Sequence, residues 1–225
     1  MEKWCVVSPK SADPAVRTAL IEQAAKITAE EGRDALTLRR LAALVGTSTM
    51  AVYTHFGSMT ELRRAVRREG FARLAAHLDV VDATDDPVAD LVVLGWAYYV
   101  NAKTHPNLYR AMFMDGPVDD VDRDVGLDTF ARLVDGVERC IRTQRFDPAD
   151  PVVLATQLWV VQHGIVTLEL AGLLTADRAF ECCIAMGRNL VHAFGDDPDA
   201  LDRSMTATRS RLAFLPTTGG NSIGA

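Results

Sequence analysis

The chain has 225 residues, and 48% of them are hydrophobic, which suffices for one globular unit of one or two small domains. Its net charge is −6, and its sequence shows no apolar run of the roughly 20 residues that span a bilayer. The first residues hold a three-residue apolar patch, too short for a secretion signal. These features predict a cytoplasmic protein without a membrane partner.

The charge is distributed unevenly along the chain. Residues 1–73 carry 12 Lys and Arg against 8 Asp and Glu, a balance of +4, whereas residues 74–225 have a balance of −10. A basic first third on an acidic body can present one face to DNA and repel DNA from the rest.

Little in the sequence indicates catalysis or metal binding. The cysteines show no C-x-x-C spacing, so reduced thiols are expected and no metal site is predicted. The histidines lie far apart, without a carboxylate or nucleophile at a telling spacing, and no glycine-rich phosphate loop is present. We therefore expect a protein that is not an enzyme and that has no cofactor.

Four helices are predicted in the first 80 residues, after an arm at 1–12. Apolar residues at helical spacing predict the first helix from Asp13 or Pro14 to about residue 31. Thr37 can cap a second helix, which Gly46 ends, and Ser48 can cap a third over residues 48–55. Ser58 can cap the fourth, which continues to about residue 79. This spacing favours a helix-turn-helix, although a plain helical hairpin would share it.

The sequence of this segment resembles the DNA-binding domain of the TetR family of one-component repressors. The resemblance covers roughly residues 14–73 and rests on LTLRRLA at 36–42, VGTS at 45–48, VYTHF at 52–56 and EL at 61–62. It implies a three-helix DNA-binding domain, at 13–80 here, whose third helix enters the major groove.

The exposed side of this motif supplies the candidate DNA contacts. Thr37, Tyr53 and His55 are predicted to bind phosphates. The residues predicted to read bases are Arg39, whose guanidinium suits guanine, and Thr47, Thr49 and Met50. The complete predicted DNA-binding set is Thr37, Arg39, Arg40, Thr47, Ser48, Thr49, Met50, Tyr53, Thr54 and His55. Met59 stands where the family commonly has a lysine, so one phosphate contact is expected to be lost.

A loop at 82–87 is predicted to separate this unit from a helical body at 85–214, with a disordered tail at 215–225. The body is expected to contain helices at 88–104, 107–114, 130–146, 152–174 and 180–194, with an acidic loop at 115–124. The whole fold is therefore predicted to be all-α with about nine helices, the body binding a ligand and forming the dimer.

A second resemblance covers roughly residues 85–195. Trp159, His163 and Gly164 form a W-x-x-x-H-G pattern, which resembles the effector domain of a TetR subgroup called WHG. The predicted pocket residues are Trp96, Tyr99, Tyr109, Phe113, Phe130, Trp159 and His163. Two alternatives stay open. His163 is either a polar anchor for a ligand or a satisfied core residue, and Glu169 either selects a cation or pairs at a dimer interface.

The last two predicted helices indicate a homodimer. Between residues 152 and 174 the only charge is Glu169, so that helix is expected to be buried on most sides. The next helix carries an apolar stripe with two small residues that would let a partner approach. The predicted dimer-interface residues are Leu168, Phe180, Cys183, Ile184, Gly187, Leu190, Val191 and Phe194.

These elements predict a ligand-responsive regulator, with a repressor preferred. As a homodimer it would bind double-stranded DNA at a palindromic operator, and a small, mostly hydrophobic effector would release it. The sequence leaves open an activator with the same fold and a DNA-binding protein without an effector.

Overall fold

The computed structural model describes residues 13–114 and 124–212, and this part of the chain contains ten α-helices, one 3-10 turn and no strand. The predicted all-α fold is confirmed. The predicted arm at 1–12 and tail at 215–225 lie outside the described residues. The helices are Pro14–Glu31 (α1), Leu38–Val45 (α2), Thr49–Phe56 (α3), Met59–Leu78 (α4), Pro87–Thr104 (α5), Pro106–Met114 (α6), Leu127–Arg142 (α7), Pro151–Leu170 (α8), Ala176–Ala193 (α9) and Pro198–Leu212 (α10).

Side-chain caps start the helices of the DNA-binding unit where the sequence places them. The Thr37 hydroxyl accepts from the Arg40 N–H at 3.3 Å, and the Ser48 hydroxyl accepts from the Ala51 N–H at 3.1 Å. Gly46 ends α2 with φ +72°, a conformation that costs glycine little. These caps fix the turn between α2 and α3.

The core of the N-terminal unit includes side chains from beyond the predicted domain boundary. Leu20, Leu41 and Leu62 are fully buried there, and Leu108 and Ala111 of α6 belong to the same apolar cluster. At the nearby crossing of α4 and α6, a Cβ on Gly70 would lie 2.4 Å from the Met112 side chain. Because α6 packs against both α1 and α4, it belongs structurally to both parts of the molecule.

The body is built around α5 and α8, which pack against α7, α9 and α10. The helix α10 is an addition to the predicted elements. Its inward positions are Leu201, Ser204 and Thr208, all buried, and its Arg211 donates to the buried Asp90 carboxylate at 2.7 Å. Two of these three inward side chains are polar, so the apolar pattern of the sequence is weak there.

In the single chain, α8 is not buried on all the sides where a fold with a second subunit is expected to cover it. Val152, Val153, Val160 and Leu168 are exposed on its outer side. Among the described residues, α8 alone has the length and apolarity to cross a membrane, with a mean hydropathy of 1.3. This finding corrects the expectation that the sequence has no apolar run long enough to span a bilayer. The other sides of α8 pack on α5, α7 and α9. Its outer side is therefore an apolar surface that no described helix of the same chain covers.

Candidate DNA-binding surface and effector cavity

The outer side of α3 is the most exposed apolar surface of the N-terminal unit. Met50 is 69% exposed and Tyr53 is 47% exposed, whereas Val52 and Phe56 of the same helix are buried in the core. Thr49 is exposed beside them. The buried pair therefore holds the helix while Thr49, Met50 and Tyr53 project from it.

Four of the predicted DNA contacts also have structural roles. The Thr37 and Ser48 hydroxyls act as caps but keep their own O–H donors. The Thr54 hydroxyl donates to the Met50 carbonyl at 2.9 Å, and the Thr47 N–H donates to the Ala42 carbonyl at 2.9 Å. His55 is half-buried, with its ring 6.0 Å from that of Phe56.

The two arginines of α2 differ in their surroundings. Arg40 forms an ion pair with Glu31 at 2.5 Å and also donates to the Ala35 carbonyl, so its guanidinium is turned towards the end of α1. Arg39 is exposed and forms no ion pair with any residue that the structure describes. Of the two predicted contacts, Arg39 is the one whose charge is available to a nucleic acid.

A cavity of about 520 Å³ lies in the body. Five of the seven predicted pocket residues line it: Trp96, Tyr99, Phe113, Phe130 and Trp159. Three residues that were not predicted to line a pocket, Leu74 and Leu78 of α4 and Gln162 of α8, also lie in this wall. Phe71, Leu74 and Leu78 recur at helical spacing in the sequence. This spacing is equally typical of a helix side that packs in a hydrophobic core, so it does not by itself predict a pocket.

The other two predicted pocket residues, Tyr109 and His163, form a hydrogen-bonded group behind the wall. The Tyr109 hydroxyl lies 2.6 Å from His163 Nδ1, and Tyr98 Oη lies 3.1 Å from the same nitrogen. The two hydroxyls are 2.9 Å apart. Neither Tyr109 nor His163 is part of the cavity lining, which favours the structural alternative for His163.

Burial sets the protonation of this group. It lowers the pKa of His163 and raises the pKa of Tyr98 to about 12, since a charged form would be desolvated. The pKa of Tyr109 is raised for the same reason. The phenols therefore stay protonated beside a neutral imidazole. In the tautomer with Nε2 protonated, Nδ1 accepts from one phenol while the two hydroxyls bond to each other.

Glu169 does not line the cavity and is not placed to select a cation. Its carboxylate, 4% exposed, forms an ion pair with Lys103 at 2.5 Å. Burial first, and then this nearby carboxylate, raise the pKa of Tyr99. Within one chain Glu169 thus pairs with Lys103, and its pairing at a dimer interface stays a prediction.

The apolar stripe of α9 faces the interior of its own chain. Cys183, Ile184, Gly187, Leu190 and Val191 line the cavity, as does Phe180, whose ring packs edge-on against Trp96. Phe194 and Val191 are buried in the core. Within one chain this stripe covers the cavity, and its assignment to a dimer interface stays a prediction. Of the predicted interface set, Leu168 is 43% exposed and Phe180 is 38% exposed.

Within residues 13–114 and 124–212, no group of three His, Cys, Asp or Glu could hold a metal ion. Cys140, Cys182 and Cys183 are free thiols. Cys5 lies outside the described residues.

The geometry thus joins a helix-turn-helix to a helical body that encloses a cavity, the arrangement of a one-component transcriptional regulator. A family model of the TetR regulatory proteins matches residues 20–66, and a model of the tetracyclin repressor-like C-terminal domain matches residues 91–186. The second model leaves the predicted WHG subgroup untested.

Comparison with individual proteins indicates the same family. The uncharacterized HTH-type transcriptional regulator Rv0681 of Mycobacterium tuberculosis is 30% identical over 161 residues, which are 70% of this chain and 72% of that one. A Rhodococcus sp. RHA1 protein of unknown function has a similar structure, with 25% identity, a TM-score of 0.68 and coverage of 86% and 100% of the two chains. The regulator PfmR of Thermus thermophilus shares the fold, with 20% identity, a TM-score of 0.64 and coverage of 77% and 97%. The chain is a transcriptional regulator of the TetR family.

Proposed function

We propose that this regulator is a cytoplasmic repressor that binds a palindromic operator as a homodimer and is released by a small effector in the body cavity. Arg39, Thr49, Met50 and Tyr53 would make the principal contacts with DNA, because they are exposed on α2 and α3. Capping hydroxyls at Thr37 and Ser48 would donate to phosphates.

The observation that carries this proposal is the position of α6. Phe113 lies in the cavity wall, while Leu108 and Ala111 of the same helix lie in the core of the DNA-binding unit. Arg67 of α4 donates to the carbonyl of Met112 at 3.1 Å and ties α6 to α4. A ligand that displaces Phe113 would therefore shift α1 and α4 with α6.

Release of DNA requires a difference in affinity between two states. An effector weakens operator binding only if it binds the shifted arrangement of α6 more tightly than the DNA-binding one. The two affinities are then linked, so saturating operator DNA must weaken the effector by the same factor.

The exposed apolar side of α8 supports the homodimer. Val153, Val160, Gly164 and Leu168 recur at intervals of four or seven residues along it, and Met186 is exposed on the neighbouring α9. A Cβ on Gly164 would meet no heavy atom within 4 Å, which leaves room for a second chain. Two copies of this surface would form an isologous interface and set two α3 helices about 34–36 Å apart.

The test is selection of genomic fragments by the purified protein at about 150 mM salt, followed by sequencing. Enrichment of one palindromic sequence supports the proposal, and Arg39→Ala should lose that enrichment. Arg178→Ala is the matched control, because Arg178 is exposed on α9 and should leave it unchanged. Diffuse enrichment, or equal losses in the two variants, would contradict the proposal.

A further inference from the structure

We propose that the effector is a neutral, flat ring compound with a carbonyl oxygen that accepts a hydrogen bond from the Gln162 amide. This inference rests on the proposed function, which places the effector in the body cavity, and adds its chemical class and the residue that orients it.

The walls of the cavity favour a flat ring system. Trp96 and Tyr99 both line the cavity and stack on one another, with ring centroids 5.2 Å apart and an interplanar angle of 23°. Phe130 and Phe113 pack against the Trp159 ring at 6.1 Å from other directions. Aromatic rings gain most from partners that can stack on their faces or meet them edge-on, and about 520 Å³ is within the usual range for a small ligand.

The charges around the cavity exclude a cation and disfavour an anion. Its described lining contains no Asp, Glu or Lys, so a cationic ligand would be desolvated without a counter-charge. Both arginines of the lining already have acceptors. Arg67 donates to the Met112 carbonyl and lies over the Phe71 ring, and Arg188 pairs with Asp202 at 2.6 Å. An anion would have to share a guanidinium with one of these partners, which offers it less than an arginine devoted to the ligand would.

Most polar side chains of the wall are occupied by strong partners. Thr129 donates to the Gly126 carbonyl at 2.6 Å, Thr156 donates to the Val152 carbonyl at 2.7 Å, and Tyr98 belongs to the His163 group. Gln162 differs, because within the described part of the chain its amide nitrogen donates only to the Cys183 sulfur, at 3.7 Å.

A sulfur at that distance is a weak acceptor, so a carbonyl oxygen can take the amide N–H at little cost. The indole N–H of Trp96 on the opposing helix also has no partner among the described residues. The Gln162 amide can donate or accept, whereas the Trp96 indole can only donate, and for this reason an accepting oxygen is assigned to the ligand.

The experiment uses three probes that share one ring skeleton: fluorene, 9-fluorenone and 9-oxofluorene-4-carboxylate. Each is titrated against the full-length protein without DNA, and binding is read by displacement of the neutral fluorophore N-phenyl-1-naphthylamine. The variants are Gln162→Met, which keeps side-chain length, and Gln157→Met as the matched control, since Gln157 is exposed on the same helix and outside the lining.

The wild type should bind fluorenone about three- to tenfold more tightly than fluorene, the ratio that one net hydrogen bond supplies. It should bind the carboxylate more weakly than fluorenone. Gln162→Met should remove the preference for fluorenone while fluorene affinity stays unchanged, and Gln157→Met should keep the preference.

Tightest binding of the carboxylate would overturn the neutral class, and an unchanged ratio in Gln162→Met would overturn the role of Gln162. Failure of all three probes to displace the fluorophore would overturn the flat-ring class. None of these results depends on operator binding, so the inference and the proposed repressor function can fail separately.

Discussion

Exposure separates the residues of α3 into those that hold the helix and those that can read DNA. Met50 is the most exposed of them, and its flexible thioether side chain has no partner to be displaced among the residues that the structure describes. Apolar side chains recognise thymine in the major groove through its 5-methyl group. Met50 is therefore suited to a thymine in the operator.

We predict that replacing that thymine by deoxyuridine weakens wild-type binding about fourfold, because burial of one methyl group contributes about 0.8 kcal/mol. Met50→Ala should bind the two DNAs with equal affinity. The measurement is fluorescence anisotropy with the selected operator. Equal weakening of both proteins by deoxyuridine would assign the methyl contact to another residue.

The Tyr98, Tyr109 and His163 group joins α5, α6 and α8 by side-chain hydrogen bonds alone. Replacing Tyr109 by Phe removes the 2.6 Å bond and leaves a buried nitrogen with one fewer donor. We predict a loss of about 1–3 kcal/mol in the free energy of unfolding, measured by urea denaturation. Tyr53→Phe, an exposed control, should change it by less than about 0.5 kcal/mol. Similar values for the two variants would show that the bond has no net effect on stability.

At the scale of helices, α6 is notable because its residues are shared between the DNA-binding core and the cavity wall. If α6 supports α1, an α6 mutation should loosen α1 although the two are far apart in sequence. We predict that Leu108→Ala lowers stability by about 2–5 kcal/mol, the usual result of emptying a buried leucine site. Amide hydrogen exchange should rise in α1, around Leu20 and Ile21, before it rises in α9. Uniform acceleration across all helices would contradict this local coupling.

The helices of the DNA-binding unit could be predicted from sequence because their start and stop signals are local. Thr37, Ser48 and Ser58 cap the helices they precede, and Gly46 ends α2. In contrast, the neighbour of the apolar stripe of α9 could not be predicted: within one chain the stripe lines the cavity. A periodic pattern states which residues share a side, whereas the neighbour on that side depends on the whole fold.

The remaining surprises have similar physical causes. The helix α10 turns Ser204 and Thr208 inward, where each hydroxyl donates to a backbone carbonyl of its own helix, so burial there does not require apolar residues. Gln162 in the cavity wall gave no signal either, since a single polar residue in an apolar helix is compatible with either side.

At the scale of the molecule, the exposed apolar side of α8 should determine the oligomeric state. Val160 is 56% exposed, so a charge at this position does not disturb the core of one chain. We predict that Val160→Glu sediments as a folded monomer and binds the operator at least tenfold more weakly, because one chain reaches one half-site. Val80→Glu, at a residue 58% exposed after α4, is the control. Two variants that sediment alike would exclude α8 as the interface.

The shared core of α6 has a further consequence for recombination between regulators. A chimera that joined residues 13–80 to a foreign body would lack Leu108 and Ala111, which complete the packing around the first helix. The transplanted DNA reader would then retain its base contacts but lose part of its own interior. The DNA-binding specificity of this protein therefore depends on α6, a helix that is distant in sequence from the helix-turn-helix it supports. Exchange of operator preference between relatives requires that α6 be carried along, or that its contact residues be redesigned in the recipient.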